Sequence, residues 1–379
     1  MSAQRVVIIG GGIIGLSIAE DCLRHGLKPV VLDQGPFAKE ASWAGAGYLD
    51  LRGSSRVGGA FFELCKRSFE LFPDWTARLK KESGLDPEFI MSGSLDVATT
   101  EGEEAAIKKM EANLKAFGYM GQWVAPKEAV RIEPQLSPSI RSAFFLMETS
   151  QVRPPRLNRA LLQVLQKGGA DLREVEPAQD FVVKGNKVTG VKTTKGLIEG
   201  DQFVMASGSW SGLLSKKLKL DLAVKPFRGQ VLMLRTRPGS LKHILFTGVD
   251  KAFTYLVPRV DGHLYVGSTL EDAGFEKTTT PEGMEKLKGG VAKLLPGLSD
   301  LLIEESWSGL RPGSVDGWPY LGQAPGLEGL WVATGHFTHG LLLSAITGRL
   351  VGQALRGERP DMDLSPFAMD RKPHPLAGI

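Results

Sequence analysis

Apolar residues in this chain fall into short runs punctuated by glycine, with amphipathic stretches between them. The first run, Val6 to Ile9, breaks at Gly10, Gly12 and Gly15; an amphipathic stretch follows, and a second run, Val30 to Leu32, closes on Asp33. Strand, glycine turn, helix and strand in that order predict a βαβ unit. Residues 59–82 and 102–117 carry apolar positions at helical spacing, with "SGSLDVAT" between them as a strand. From 151 onward, "QVRPPRLNRALLQVLQ" reads as a helix opened by proline.

The middle of the chain changes period. "DFVVKGNKVTGVKT" reads as two strands joined at Gly185-Asn186, and "GDQFVMASGSW" as an apolar strand ending on the small residues Ala206, Ser207 and Gly208. Residues 222–270 alternate in the manner of an antiparallel sheet, with Asp261-Gly262 as a turn between two strands. Near the end, a strand Leu330 to Ala333 breaks at Gly335, and a helix of small and apolar residues is expected after Gly340. There are no internal repeats and no low-complexity tract.

A chain of 379 residues exceeds what one hydrophobic core serves, so two domains are expected. Apolar residues make up 42% and charged residues 23%, the balance of an ordinary globular protein. Basic and acidic residues number 46 and 42 and are interspersed; Lys216, Lys217 and Lys219 are too few for a nucleic-acid surface, so no nucleic-acid partner is expected. Two cysteines, Cys22 and Cys65, argue against a disulfide framework and for a reducing, cytoplasmic setting. No metal-ligand spacing occurs. The first apolar run is interrupted by glycines and lacks the features of a signal peptide, and no run reaches the roughly eighteen apolar residues of a spanning helix.

The opening unit carries the first chemistry. Gly10 allows the tight turn, Gly12 lets backbone approach a pyrophosphate, and Gly15 lets the helix lie near the sheet. The N-terminus of that helix offers free N–H groups and partial positive charge to phosphates. Asp33 stands where a carboxylate accepts hydrogen bonds from ribose hydroxyls. This predicts a dinucleotide, FAD or NAD. After it, "QGPFAKEASWAGAGYLD" is rich in small residues that admit a bulky planar ligand.

Six blocks then point to one family: "VVIIGGGIIG", "ASWAGAGYL", "ASGSWSG", "YLVPR", "GLRPGSVDGWPYLG" and "ATGHFTHGLLLSAITG". In these blocks and their order the chain resembles the flavin-dependent D-amino-acid oxidase superfamily, most closely its glycine oxidase branch. The resemblance implies an α/β fold: a Rossmann-like FAD-binding domain of the glutathione-reductase type, and an α+β substrate domain with an antiparallel sheet. It places the FAD domain in segments 1–84, 146–216 and 303–379, and the substrate domain in 85–145 and 217–302. It implies FAD held without a covalent link, since the cysteine that anchors flavin near the C-terminus of some relatives has no counterpart beyond Cys65.

Position by position, the resemblance puts Ile13, Ile14, Asp33 and Gln34 at the adenosine and pyrophosphate end, with Asp33 where the family usually has glutamate. Ala41, Ser42, Ala46, Gly47 and Tyr48 match the loop near the ring system, and Ala178 matches a backbone contact to adenine. The turn His336, Phe337, Thr338, His339, Gly340, Leu341 and Leu342 matches the flavin-contacting segment, chiefly through backbone. Arg311 matches the residue that grips the substrate carboxylate, for which a planar guanidinium is suited, and Tyr255 matches a tyrosine that adds a third contact. Glycine oxidases carry an arginine where this chain has Thr338, so glycine, a larger amine or D-amino acid, and an imino acid such as proline all stay open as substrates. Electrons leave to O2 or to another acceptor. The sequence does not decide between a monomer and a homo-oligomer.

Overall fold

The computed structural model describes residues 3–248 and 253–374. A six-stranded sheet is assembled from distant parts of the chain, in the order Tyr320–Gln323, Leu330–Thr334, Gln202–Met205, Arg5–Ile9, Lys28–Leu32 and Asp171–Arg173. All neighbours run parallel except the outermost pair, Tyr320–Gln323 against Leu330–Thr334. The first strand explains why its sequence is a continuous apolar run. Val6 and Ile8 enter the core on one side, and Val7 and Ile9 enter a second core on the other; a strand covered on both faces has no position for a polar side chain.

Helix Ile13–Arg24 leaves this sheet through the glycine turn. Gly10 has φ +117°, and a Cβ there would lie 2.3 Å from the carbonyl oxygen of Ala206 on the neighbouring strand. A Cβ on Gly15 would lie 1.9 Å from the Gly10 carbonyl oxygen. A larger residue at 10 would collide with the backbone at the end of the neighbouring strand, and one at 15 would push the helix off the glycine turn. The hairpin at Gly185-Asn186 joins Ala178–Lys184 to Lys187–Thr193, which with Gly196–Glu199 form a three-stranded sheet.

A second, eight-stranded sheet runs Ile303–Ser314, Val224–Arg235, His263–Gly267, Thr254–Pro258, Ile244–Thr247, Ser94–Ala98, Ser142–Leu146 and Gln122–Val124. It is antiparallel but for one pair, Ile244–Thr247 with Ser94–Ala98, which run parallel. One face carries Leu232, Leu234, Leu245, Leu256, Leu264 and Val266, sealed by Leu287, Val291 and Leu294 of helix Pro281–Leu294. The other carries Val231, Met233, Phe246, Tyr255, Val257 and Tyr265, clustered with Ala46 of the loop that follows the first βαβ unit. Strand Ile303–Ser314 pairs with Val224–Arg235 along its whole length, from Ser314 opposite Val224 to Ile303 opposite Leu234.

Helices Gly59–Ser83 and Glu101–Ala116 form where the apolar spacing places them, the second opened by a capping box between Thr100 and Glu103. The helix expected directly after Gly340 begins later, at Ser344. Phe337–His339 is instead a tight 3-10 turn, closed by the His339 N–H on the His336 carbonyl, with Phe337 at φ +47°. Glycine at 340 ends that turn; it does not start the helix.

Candidate active site

The ends of the parallel strands open into a cavity of about 390 Å³ that continues to the edge of the eight-stranded sheet. Gly10, Gly12, Ile13 and Ile14 line it at the glycine turn. Gly15 does not; it lies beneath, against Gly10. The first helical amide, Ile13 N–H, donates to Ser42 Oγ at 2.8 Å, which draws the following loop across the helix N-terminus. A Cβ on Gly12 would stand 3.1 Å from the same Ser42 oxygen, so the floor of the cavity is bare backbone.

Asp33 reaches the cavity from the end of strand Lys28–Leu32. Its Oδ2 accepts from the Gly11 N–H at 2.7 Å and its Oδ1 from the Gly35 N–H at 2.9 Å. Burial raises its pKa, and the two amide bonds pull it back. The carboxylate thus braces the glycine turn while lone pairs remain for a ligand hydroxyl. Gln34 and Ala178 line the same end, beside Pro177 and Gln179.

Ala41 and Ser42 line the middle of the cavity together with Gly45. Ala46, Gly47 and Tyr48 sit behind that lining. The Ala46 carbonyl accepts from Arg259 Nη2, and the Tyr48 ring packs on Phe246 and Tyr255, with centroids 5.3 and 4.9 Å apart. Burial pushes the Tyr48 hydroxyl pKa upward, so it stays protonated.

Of the C-terminal turn, His336, Phe337, Thr338, Gly340 and Leu341 line the cavity. His339 and Leu342 do not: the His339 ring packs edge-on against Phe61 at 5.1 Å, and Leu342 is buried in the core. His336 is 1% exposed and its Nε2 meets Thr347 Oγ1 at 3.1 Å. Burial first, and His339 second, push its pKa down to about 3, so it is neutral at neutral pH. The amides of Gly340 and Leu341 donate no hydrogen bond within the described residues. A cavity edge carrying two unpaired N–H groups is suited to the polar rim of an aromatic ligand.

Arg311 lines the far end. Its Nη1 donates to the Thr269 carbonyl at 3.2 Å and its Nη2 to Ser268 Oγ at 2.7 Å. Among the described residues it pairs with no carboxylate. Two glycines make room for the candidate substrate side chains: a Cβ on Gly229 would lie 1.9 Å from Arg311 Nη1, and one on Gly267 would lie 2.4 Å from the Tyr255 hydroxyl. By register, Arg311 lies opposite Phe227, two residues from Gly229, and Tyr255 lies directly opposite Gly267, which places both side chains on one face of the sheet. Tyr255 itself stands outside the cavity lining, 5% exposed.

Several lining residues have no motif behind them. Leu213, Leu214 and Lys217 come from the segment after strand Gln202–Met205, Glu40 from a loop and Pro154 from a helix start. The visible signals were the small residues Ala206 to Gly208 and the isolated glycines Gly229 and Gly267 inside strand alternation. Among the described residues, no group of His, Cys, Asp or Glu is placed to hold a metal ion, and no helix is long and apolar enough to cross a membrane.

Glycine turn, helix N-terminus at the cavity floor, braced carboxylate and a long cavity between two sheets define an enzyme that binds a dinucleotide beside a small substrate. The chain belongs to the DAO family of FAD dependent oxidoreductases, whose sequence pattern matches residues 5–354. It is 36% identical over 370 residues to glycine oxidase of Pseudomonas aeruginosa, covering 97% of this chain and 98% of that one. To glycine oxidase of Bacillus licheniformis it is 31% identical, with 97% of each covered. Its structure superposes on glycine oxidase from Geobacillus kaustophilus with a TM-score of 0.92 at 30% identity, covering 98% of this chain and 100% of that one. The protein is therefore an FAD-dependent oxidoreductase, and the bare glycine turn, the Asp33 carboxylate and the unpaired amides of Gly340 and Leu341 fit that cofactor.

Proposed function

We propose that this enzyme oxidises a small amino acid to its imino acid, which water then hydrolyses, with O2 as the acceptor and hydrogen peroxide as the second product. The observation that carries the reading is Arg311: a guanidinium on a cavity wall, held by a carbonyl and a hydroxyl and, among the described residues, paired with no carboxylate. Such a group is set to receive an acid through two parallel hydrogen bonds. Bound FAD supplies the acceptor for the two electrons and the hydrogen leaving the α-carbon.

The remaining work belongs to the chain. Arg311 fixes the carboxylate, Tyr255 offers its hydroxyl to the same acid, and together they hold the α-carbon in one orientation. Gly12, Ile13 and Ser42 hold the pyrophosphate, Asp33 and Gln34 the adenosine end, and the amides of Gly340 and Leu341 the polar edge of the ring. His336, neutral and bonded to Thr347, shapes the wall and moves no proton. A substrate amine that binds uncharged needs no protein base. In this reading the six-stranded sheet serves the nucleotide and the eight-stranded sheet the substrate. The strand bearing Arg311 pairs with Val224–Arg235 in the latter, although its number lies beyond 303.

The glycine oxidases to which the chain is similar act on glycine by name, and Thr338 in place of their arginine leaves room for N-methylated, cyclic or D-configured relatives. A panel of glycine, sarcosine, both alanine enantiomers and both proline enantiomers, scored for peroxide, tests the reading. Turnover of at least one with stoichiometric peroxide supports it. Efficient dye reduction without peroxide would reassign the acceptor to a quinone or another carrier, and no turnover of any would remove the substrate class.

A further inference from the structure

The last residue of "YLVPR" has no part in the chemistry above. Arg259 closes strand Thr254–Pro258, four residues beyond Tyr255, and is 5% exposed. Its Nη1 donates to Gln151 Oε1 at 2.8 Å and to the Val152 carbonyl at 2.9 Å, and its Nη2 donates to the Ala46 carbonyl. The guanidinium lies over the Tyr265 ring, 4.9 Å from its centroid. Among the described residues no carboxylate pairs with it, and its Nε has no partner at all. Burial, and secondarily Arg153, lower its pKa to about 10, so it remains a cation at neutral pH.

A buried cation that no carboxylate touches directly is costly; Glu88 and Asp261 act on it only from a distance, and a neutral residue would fill the space at lower cost. The acceptors it binds indicate what the charge does. Two belong to the Gln151-Val152 segment, which pairs with Tyr48 and leads into the helix opened by Pro154. The third is the carbonyl of the Ala46–Gly47 peptide. In a trans peptide the N–H points opposite the C=O, so the Gly47 N–H is turned away from Arg259; within the described residues it donates to nothing. Position 47 admits only glycine, since a Cβ there would lie 2.1 Å from the Val152 carbonyl oxygen at φ +84°. A charged donor on one end of a peptide also polarises the other end.

We propose that Arg259 is a positioning residue for the flavin: from behind the cavity wall it fixes and polarises the Ala46–Gly47 peptide, which holds the lining residues Ser42 and Gly45 in place, and its charge favours the reduced, more negative cofactor. The inference rests on the flavin-loop reading of residues 41–48 and not on the identity of the substrate. The holoenzyme and three variants test it, read by FAD affinity, visible absorption spectrum and midpoint potential, with melting temperature as the measure of structural damage. Arg259→Met is expected to shift the flavin bands, weaken FAD about tenfold, as for a lost charge-assisted bond, and move the potential negative. Arg259→Lys, which keeps the charge but loses the fork, is expected to restore the potential more than the affinity. Gln151→Glu, which sets a carboxylate against Nη1, is expected to move the potential negative while FAD stays bound. Wild-type spectrum, affinity and potential in Arg259→Met and Gln151→Glu, whatever their melting temperatures, would overturn the proposal and leave flavin binding intact. Should Arg259→Met fail to fold, Gln151→Glu decides alone. Failure of the unaltered protein to bind FAD would count instead against the flavin-loop reading.

Discussion

Arg311 and Gly229 occupy adjacent strands, and the guanidinium of the first fills the space a side chain on the second would take, 1.9 Å from where its Cβ would stand. The Arg311 guanidinium is thus aimed by the absence of a side chain two residues from its cross-strand partner. The same device recurs one strand over, where Gly267 leaves room for the Tyr255 hydroxyl.

Gly229→Ala should therefore act like an injury to Arg311. The expected result is a rise of about tenfold or more in KM for carboxylate substrates, the scale of a displaced charge-assisted bond, with FAD content unchanged. Steady-state kinetics beside flavin absorbance checks it, and an unaltered KM would mean that Arg311 does not hold the acid.

Arg311→Lys keeps a positive charge and loses the planar fork. We expect kcat/KM to fall by about a hundredfold, or about 2.7 kcal/mol in transition-state binding. FAD should stay bound with a normal spectrum, because the contacts proposed for its nucleotide, at Gly12, Ser42 and Asp33, do not involve Arg311. Similar kinetics in the two proteins would take Arg311 out of the site.

Gly12→Val should yield folded protein that does not retain FAD. The helix N-cap has extended backbone, φ −77° and ψ 178°, which valine tolerates, but the added carbons would stand on the cavity floor beside Ser42. Gel filtration followed by the 450 nm region of the spectrum decides it, and a yellow, fully loaded variant would contradict the pyrophosphate position.

His336 predicts a pH dependence of stability. The unfolded side chain titrates near 6.5, whereas the buried one stays neutral to about pH 3. Between those values the unfolded chain binds the extra proton, so stability is complete above pH 6.5 and falls by about 1.4 kcal/mol per pH unit below it. His336→Gln keeps a partner for Thr347 and cannot titrate. Urea midpoints at saturating FAD from pH 7 to 5 should show a shallower decline in that variant, and parallel curves would show that His336 is already charged or accessible.

Much of the fold was legible because it follows from neighbours in sequence. The run Val6 to Ile9, the glycines after it and Asp33 identify a βαβ unit, and the hairpins at Gly185-Asn186 and Asp261-Gly262 form where their turn residues stand. Boundaries that depend on packing were not legible. The helix expected after Gly340 starts at Ser344 because the His336 turn must first close on itself, and the alternation of residues 222–270 could not reveal that Ile244–Thr247 would take a parallel partner from residues 94–98.

By itself the sequence determined the nucleotide-binding half, since a glycine turn, an apolar strand and a terminal acid are local properties of thirty consecutive residues. Only the tertiary structure decided what the other residues do. It buried His336 and turned His339 away, set Tyr48 and Ala46 behind the cavity wall, and gave Arg311 its direction through Gly229. The physical reason is distance along the chain: Arg311 and Gly229, like Arg259 and Ala46, meet through sheet register and close packing, which depend on the whole assembled core and on no local pattern.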